Sequence, residues 1–159
     1  MILEEGQLKF DFSTALNVFK FDDGDKNSPN YHGLSHCMKA VDFIAEYDEY
    51  YLFVEVKDPP NYSHYESADE RKQLLNTLVT KFRDTFLYRW AENKIDKPIK
   101  YFCLVELDNA QISYLMKELK LKLPAVGVAR WQKPLVQTCI VANIARWNAN
   151  FPHIPVQRI

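Results

Sequence analysis

Between residues 39 and 57 the chain carries two apolar runs of strand length separated by Asp48-Glu49, and a proline pair follows at once. Lys39 to Tyr47 and Tyr50 to Lys57 predict two strands of a hairpin with its turn at the acidic pair. Asp58-Pro59-Pro60-Asn61 stops the second strand, because two prolines cannot continue a hydrogen-bonded ladder. Ser67-Ala68-Asp69-Glu70 then has capping-box spacing and opens a long helix. Leu74, Leu75, Leu78, Val79, Phe82, Phe86, Leu87 and Trp90 recur at helical spacing and predict one broad buried face. Arg71, Lys72, Lys81, Arg83 and Arg89 are expected on the solvated remainder.

The rest of the chain fits the same architecture. Leu8 to Phe12 alternates apolar and polar residues and reads as a strand, and Val18 to Phe21 as another, ending at Asp22-Asp23-Gly24-Asp25. Asp22 to Ser35, rich in Asp, Asn, Gly and Pro, reads as a loop. Tyr101 to Leu107 is a buried-strand run, Asp108 caps a second helix through Ile112, Leu115 and Leu119, and Leu135 to Ala142 is a further strand. Ala145 to Asn150 fits either a helix or irregular chain. Trp147 to Pro155, aromatic and proline-rich, reads as an ordered tail. The order β, β, β-hairpin, α, β, α, β predicts an α/β (α+β) fold, a mixed sheet flanked by helices, in one domain over residues 1–159.

The 159 residues suffice for such a core without disulfides or metal, since a chain of this size buries about 70% of its unfolded surface. Apolar residues at 47% and only four glycines exclude disordered and collagen-like chains. No apolar run is long enough to span a bilayer, so no membrane association is expected. The acidic start, Met1-Ile2-Leu3-Glu4-Glu5-Gly6, argues against a secretory signal, and three widely spaced cysteines (Cys37, Cys103, Cys139) fit reduced thiols in a cytoplasmic protein.

The overall charge of −1 conceals an asymmetry: residues 1–70 hold five lysines against fifteen acids, and residues 71–159 hold fifteen basic residues against six acids. An acidic half and a basic half can together form a site that holds a cation beside a polyanion, or can simply neutralise each other.

The hairpin carries the chemistry. Asp42 lies in Val41-Asp42-Phe43-Ile44, where a carboxylate among large apolar neighbours needs a reason. Twelve residues separate it from Glu55 in Phe53-Val54-Glu55-Val56-Lys57. Strand alternation puts Glu55 and Lys57 on one face and Leu52, Val54 and Val56 on the other. A turn near Asp48-Glu49 would bring Asp42 opposite the Glu55 region. Two carboxylates suit a hard divalent cation, Mg²⁺ or Mn²⁺, which completes its octahedron with waters and phosphate oxygens. The Val56 carbonyl is a third candidate ligand. Lys57 is placed to position a water or to stabilise charge building on a phosphate, and to balance the anions.

Asp42, the spacer and Glu55-Val56-Lys57-Asp58 resemble the PD-(D/E)xK nuclease superfamily, with its restriction-endonuclease-like fold. The resemblance covers residues 38–93 in order of elements. It implies a metal-dependent phosphodiesterase acting on DNA or RNA, with Asp42 and Glu55 as metal ligands and Lys57 as catalytic lysine. Val41 stands where the pattern has proline. Some branches draw a further ligand from an N-terminal helix; here that region reads as strands, and Glu4, Glu5, Asp22 and Asp23 are the candidates for that role. Other branches carry a glutamine on the following helix, where this chain has Gln73.

Two rivals share the same residues. One is a catalytically inactive nucleic-acid- or protein-binding module on the same fold. The other is a structural protein in which Asp42, Glu55 and Lys57 form only an ion-pair network. His32, His36 and His64 read as loop histidines, without cysteine partners at zinc spacing. The small size leaves room for a homodimer or a partner subunit in gripping duplex.

Overall fold

The computed structural model describes residues 1–58 and 65–159. The proline pair and His64 lie outside the described residues. The chain forms β1 (Ile2–Glu5), β2 (Leu8–Asp11), β3 (Asn17–Lys20), β4 (Phe43–Glu46), β5 (Tyr51–Lys57), α1 (Ala68–Ala91), β6 (Ile99–Val105), α2 (Asn109–Lys122), β7 (Thr138–Ala142), α3 (Ile144–Asn150) and β8 (Val156–Arg158). It is a mixed α/β protein of the α+β kind. A five-stranded sheet runs β3-β4-β5-β6-β7, and an antiparallel three-stranded sheet runs β1-β2-β8.

The large sheet changes sense at β5. β3, β4 and β5 are antiparallel neighbours, whereas β5, β6 and β7 are parallel. Parallel neighbours need crossovers, and α1 and α2 supply them. Both helices pack on one face: Leu78 and Phe82 of α1, and Ile112, Leu115 and Leu119 of α2, meet Phe53, Tyr101 and Cys103. The opposite face, with Phe43, Leu52, Val54 and Phe102, is covered by Leu8 and Phe10 of the small sheet and Trp147 and Phe151 near α3. The molecule is therefore three layers deep. Its central strands are buried on both sides, which is why their hydropathy is continuous rather than alternating.

Local chemistry fixes the helix starts. Ser67 accepts from the Glu70 N–H, and Glu70 reaches back to the Ser67 N–H, completing the expected capping box. Asp108 accepts from the Gln111 N–H at the start of α2. The region after Ala142 resolves into a helix capped by Asn143. No helix among the described residues is long and apolar enough to cross a membrane.

Three features differ from the sequence expectation. The strand expected from Lys39 begins only at Phe43. The preceding backbone is tied to α1 instead: the Lys39 N–H donates to Asp84 (2.8 Å) and the Val41 N–H to Thr85 Oγ1 (3.1 Å). On α1, Leu87 and Trp90 are exposed, while Lys81 and Arg89 are buried. The buried stripe runs Leu74, Leu78, Lys81, Thr85, Arg89 at intervals of four, three, four and four residues, so position outweighs polarity there. Finally, β1 and β8 are strands the hydropathy pattern does not announce. The tail is ordered through β8, and the Trp147 indole N–H donates to the Ile154 carbonyl (2.7 Å).

Candidate functional site

Phe43 pairs with Val54 across the hairpin. Continuing that register by one residue sets Asp42 opposite Glu55, within the region that a turn near Asp48-Glu49 points to. The contact is direct: the Val56 N–H donates to Asp42 Oδ2 at 2.6 Å. The backbone carbonyl of Asp42 accepts from the Phe21 N–H (2.8 Å), so the residue is held from both sides. Alternation along β5 places Tyr51, Phe53 and Glu55 beneath the helices, with Leu52, Val54 and Val56 in the opposite layer. Glu55 is fully buried and Asp42 is 6% exposed.

Two ammonium groups neutralise these carboxylates. Lys57 Nζ lies 2.7 Å from Glu55 Oε1. Lys81, reaching down from the middle of α1, lies 2.9 Å from the same oxygen, 3.6 Å from Asp42 Oδ1 and 3.4 Å from Asp22 Oδ2. Both cations thus converge on one oxygen of Glu55. The other, Oε2, is buried and makes no hydrogen bond among the described residues.

The electrostatics follow from burial. Desolvation, with the neighbouring Asp42 charge, pushes the Glu55 carboxyl up to about 7, against the pull of Lys81 and Lys57. Burial likewise raises Asp42, opposed by Lys81 and the Val56 N–H. For Lys81 burial acts downward, but Glu55 and Asp42 more than offset it and hold the ammonium above its ordinary value.

Asp42, Glu55, Val56 and Lys57 therefore meet at one place. Lys81 is the member that sequence reasoning assigned to solvent. The available signal was its position, three residues after Leu78 and seven after Leu74. Of the acids near the N-terminus, Asp22 reaches the cluster through Lys81, whereas Glu5 pairs with Lys20 at 2.7 Å. Asp23 accepts from the Asp25 N–H within its loop. Gln73 lines a cleft of about 320 Å³ together with Lys57, Tyr65, Glu70 and Thr77, so it faces the same opening as the lysine. His32 packs in one cluster with the rings of Phe21 and Tyr88, and its Nδ1 accepts from the Leu34 N–H. Asp58, the residue after Lys57, is held bidentately by Arg158 of β8 (2.8 and 2.9 Å).

No protein-family model, no curated protein and no solved structure matches this chain. The functional reading rests on the chemistry of the cluster. Among the described residues no group of three or more His, Cys, Asp or Glu side chains forms a metal cage. What the cluster offers is a pair of buried carboxylates, one with an oxygen that has no partner among the described residues. Such a donor set fits a hard cation that keeps several water or phosphate ligands, and does not suit zinc. A larger, apolar cavity of about 530 Å³ lies by Ile99 and Trp131, at the start of β6. Glu55 and Lys57 belong to the other end of the β5–β6 pair, so this cavity is not part of the cluster.

Proposed function

We propose that this protein is a Mg²⁺- or Mn²⁺-dependent nuclease that hydrolyses phosphodiester bonds of DNA or RNA. The observation that carries the reading is the meeting of Asp42, immediately before β4, with Glu55 on β5 and Lys57 against it, Glu55 retaining a buried oxygen that has no partner among the described residues. The resemblance to PD-(D/E)xK nucleases in residue types and order of elements supports it. Asp42, Glu55 and the Val56 carbonyl would hold the cation.

When bound, the cation would acidify a water and withdraw charge from a phosphate oxygen. The chain's own residues have separate tasks. The Val56 N–H fixes the orientation of the Asp42 carboxylate. Lys57, partly exposed at the end of β5, faces the cleft and can donate to the attacking water or to a non-bridging phosphate oxygen. Water attacking phosphorus forms the new P–O bond and gives up a proton to solvent, while the bond to the leaving sugar oxygen breaks and that oxygen takes up a proton from solvent. Gln73, on the first turns of α1, lines the same cleft and is positioned to contact the substrate. The exposed Lys72 and Arg83 offer phosphate-backbone contacts, whose loss at high salt would mark electrostatic binding. A second copy or a partner subunit would extend this grip. Free thiols at Cys37, Cys103 and Cys139 support a reducing compartment, the cytoplasm.

Labelled single- and double-stranded DNA and RNA incubated with Mg²⁺ or Mn²⁺ test the proposal. Cleavage by the wild type, and its loss in folded Asp42→Asn and Lys57→Ala variants, is expected. Equal cleavage by all three proteins would refute the assignment.

A second reading has its own support. Lys81 and Lys57 already balance the two buried carboxylates, as a purely structural ion-pair network would require. That reading predicts no Mn²⁺ binding in calorimetry. The inactive binding module predicts salt-sensitive nucleic-acid binding without metal dependence.

A further inference from the structure

We infer that Lys81 is a resident cation standing where a divalent metal would bind, and that metal capture by Asp42 and Glu55 requires its ammonium to withdraw toward Asp22. The inference rests on the reading of these carboxylates as metal ligands, and assigns to Lys81 the control of when they become available.

The geometry is that of a cation site already filled. One ammonium lies 2.9 Å from Glu55, 3.6 Å from Asp42 and 3.4 Å from Asp22, so three carboxylates from separate segments surround it. Lys81 is 8% exposed and lies in the buried stripe of α1, between Leu78 and Thr85. Its side chain reaches the carboxylates across the helix–sheet layer rather than along a solvent path. A divalent ion seated on Asp42 and Glu55 would lie within a few ångströms of this charge, in a medium that screens poorly, so the two cations exclude each other. A metal must therefore displace the ammonium or bind weakly.

Asp22 supplies the place to go. Its side chain is 41% exposed, whereas those of Asp42 and Glu55 are 8% and 0% exposed. Its backbone is anchored beside the cluster by an N–H donated to the Val41 carbonyl (3.1 Å). A lysine stem has enough rotatable bonds to swing its ammonium outward while keeping one carboxylate partner. Lys57 cannot substitute as the plug, since among the described residues its ion pair is with Glu55 and it sits at the strand's end. Lys81 is thus a positioning residue for the metal, acting through the carboxylates it vacates.

Mn²⁺ binding measured by calorimetry on wild type, Lys81→Met and Lys81→Arg tests this, with thermal unfolding recorded with and without Mn²⁺. Lys81→Met should bind Mn²⁺ about tenfold or more tightly than wild type, and Lys81→Arg, which keeps the charge, should not. Asp22→Asn should weaken Mn²⁺ binding in the wild-type background but not beside Lys81→Met. Mn²⁺ should also raise the melting temperature of Lys81→Met more than that of wild type, because the metal replaces the lost ammonium. If Lys81→Met fails to fold in chelator, Mn²⁺ should restore the fold; failure to do so overturns the inference. Equal affinity in wild type and Lys81→Met overturns it while leaving the nuclease reading intact. Absence of Mn²⁺ binding in both folded proteins overturns both.

Discussion

Asp42 Oδ2 accepts the Val56 N–H at 2.6 Å, so the carboxylate just before β4 is held by the peptide unit that joins Glu55 to its neighbour on β5. The hairpin and the cluster share a hydrogen bond. Asp42 is both a structural staple and a candidate ligand, and its substitutions separate the two roles. Asp42→Ala leaves the buried Val56 N–H without an acceptor, a loss of about 1–3 kcal/mol, whereas Asp42→Asn retains one. Both variants should lose Mn²⁺ binding, but only Asp42→Ala should be strongly destabilised. Urea denaturation beside calorimetry checks this, and similar stabilities for the two variants would remove the staple role.

Glu55 gives the metal-free protein a pH dependence of defined sign. Its carboxyl is near 7 in the fold against an ordinary 4.5, so the folded state holds the proton more tightly than the unfolded chain. The associated stability is fully present below about pH 4.5 and is lost as pH rises through about 7. The size is on the order of 3 kcal/mol. Lys81 does not contribute to this slope, because its raised value places its titration above pH 10.5. In EDTA, Glu55→Gln should flatten the stability profile between pH 4.5 and 8 relative to wild type. Parallel profiles for the two proteins would contradict it.

Removing Lys81 alone breaks a buried charge network. Lys81→Met should destabilise the metal-free protein by about 3–5 kcal/mol at neutral pH, since it strips Asp42 and Glu55 of their shared cation. Adding Glu55→Gln to that variant should recover part of the loss, because one uncompensated anion goes with it. A double-mutant cycle by chemical denaturation measures the coupling, and strict additivity would show that the two residues do not interact.

Thr85 tests whether α1 also positions the segment before Asp42. Its hydroxyl is the acceptor for the buried Val41 N–H. Thr85→Val keeps the volume but orphans that donor, which should cost about 1–3 kcal/mol. Amide exchange at Val41 should accelerate more than at Phe53, which lies within the ladder. Unchanged exchange at Val41 would show that the tether does not matter.

Much of this architecture could be read from residue order. The capping box at Ser67, the Asp108 cap and the period-two alternation of β5 are local signals, and each reports local geometry. The convergence of Asp42 with Glu55 and Lys57 followed from the turn at Asp48-Glu49 alone. Other features were hidden for a physical reason: they depend on what lies across space. Lys81 looks like a helix-surface lysine until Asp22, Asp42 and Glu55 are known to lie beneath it. Lys39 to Val41 reads as strand because its residues suit one, yet Asp84 and Thr85 capture its N–H groups first. β8 is three residues long in a proline-bounded tail, and only its partner β2 makes it a strand.

That last pairing has a consequence for how the molecule is made. Phe10 meets Val156, a partner that leaves the ribosome only after the whole of the large sheet has been synthesised. During vectorial synthesis the β1–β2 hairpin therefore waits with an unpaired edge and an apolar face, an arrangement prone to capture by other strands. Closure of the small sheet is a long-range, late event. It also delivers Arg158 to Asp58, the residue beside Lys57, so the end of the strand that bears the cluster is fastened only once β8 has joined β2.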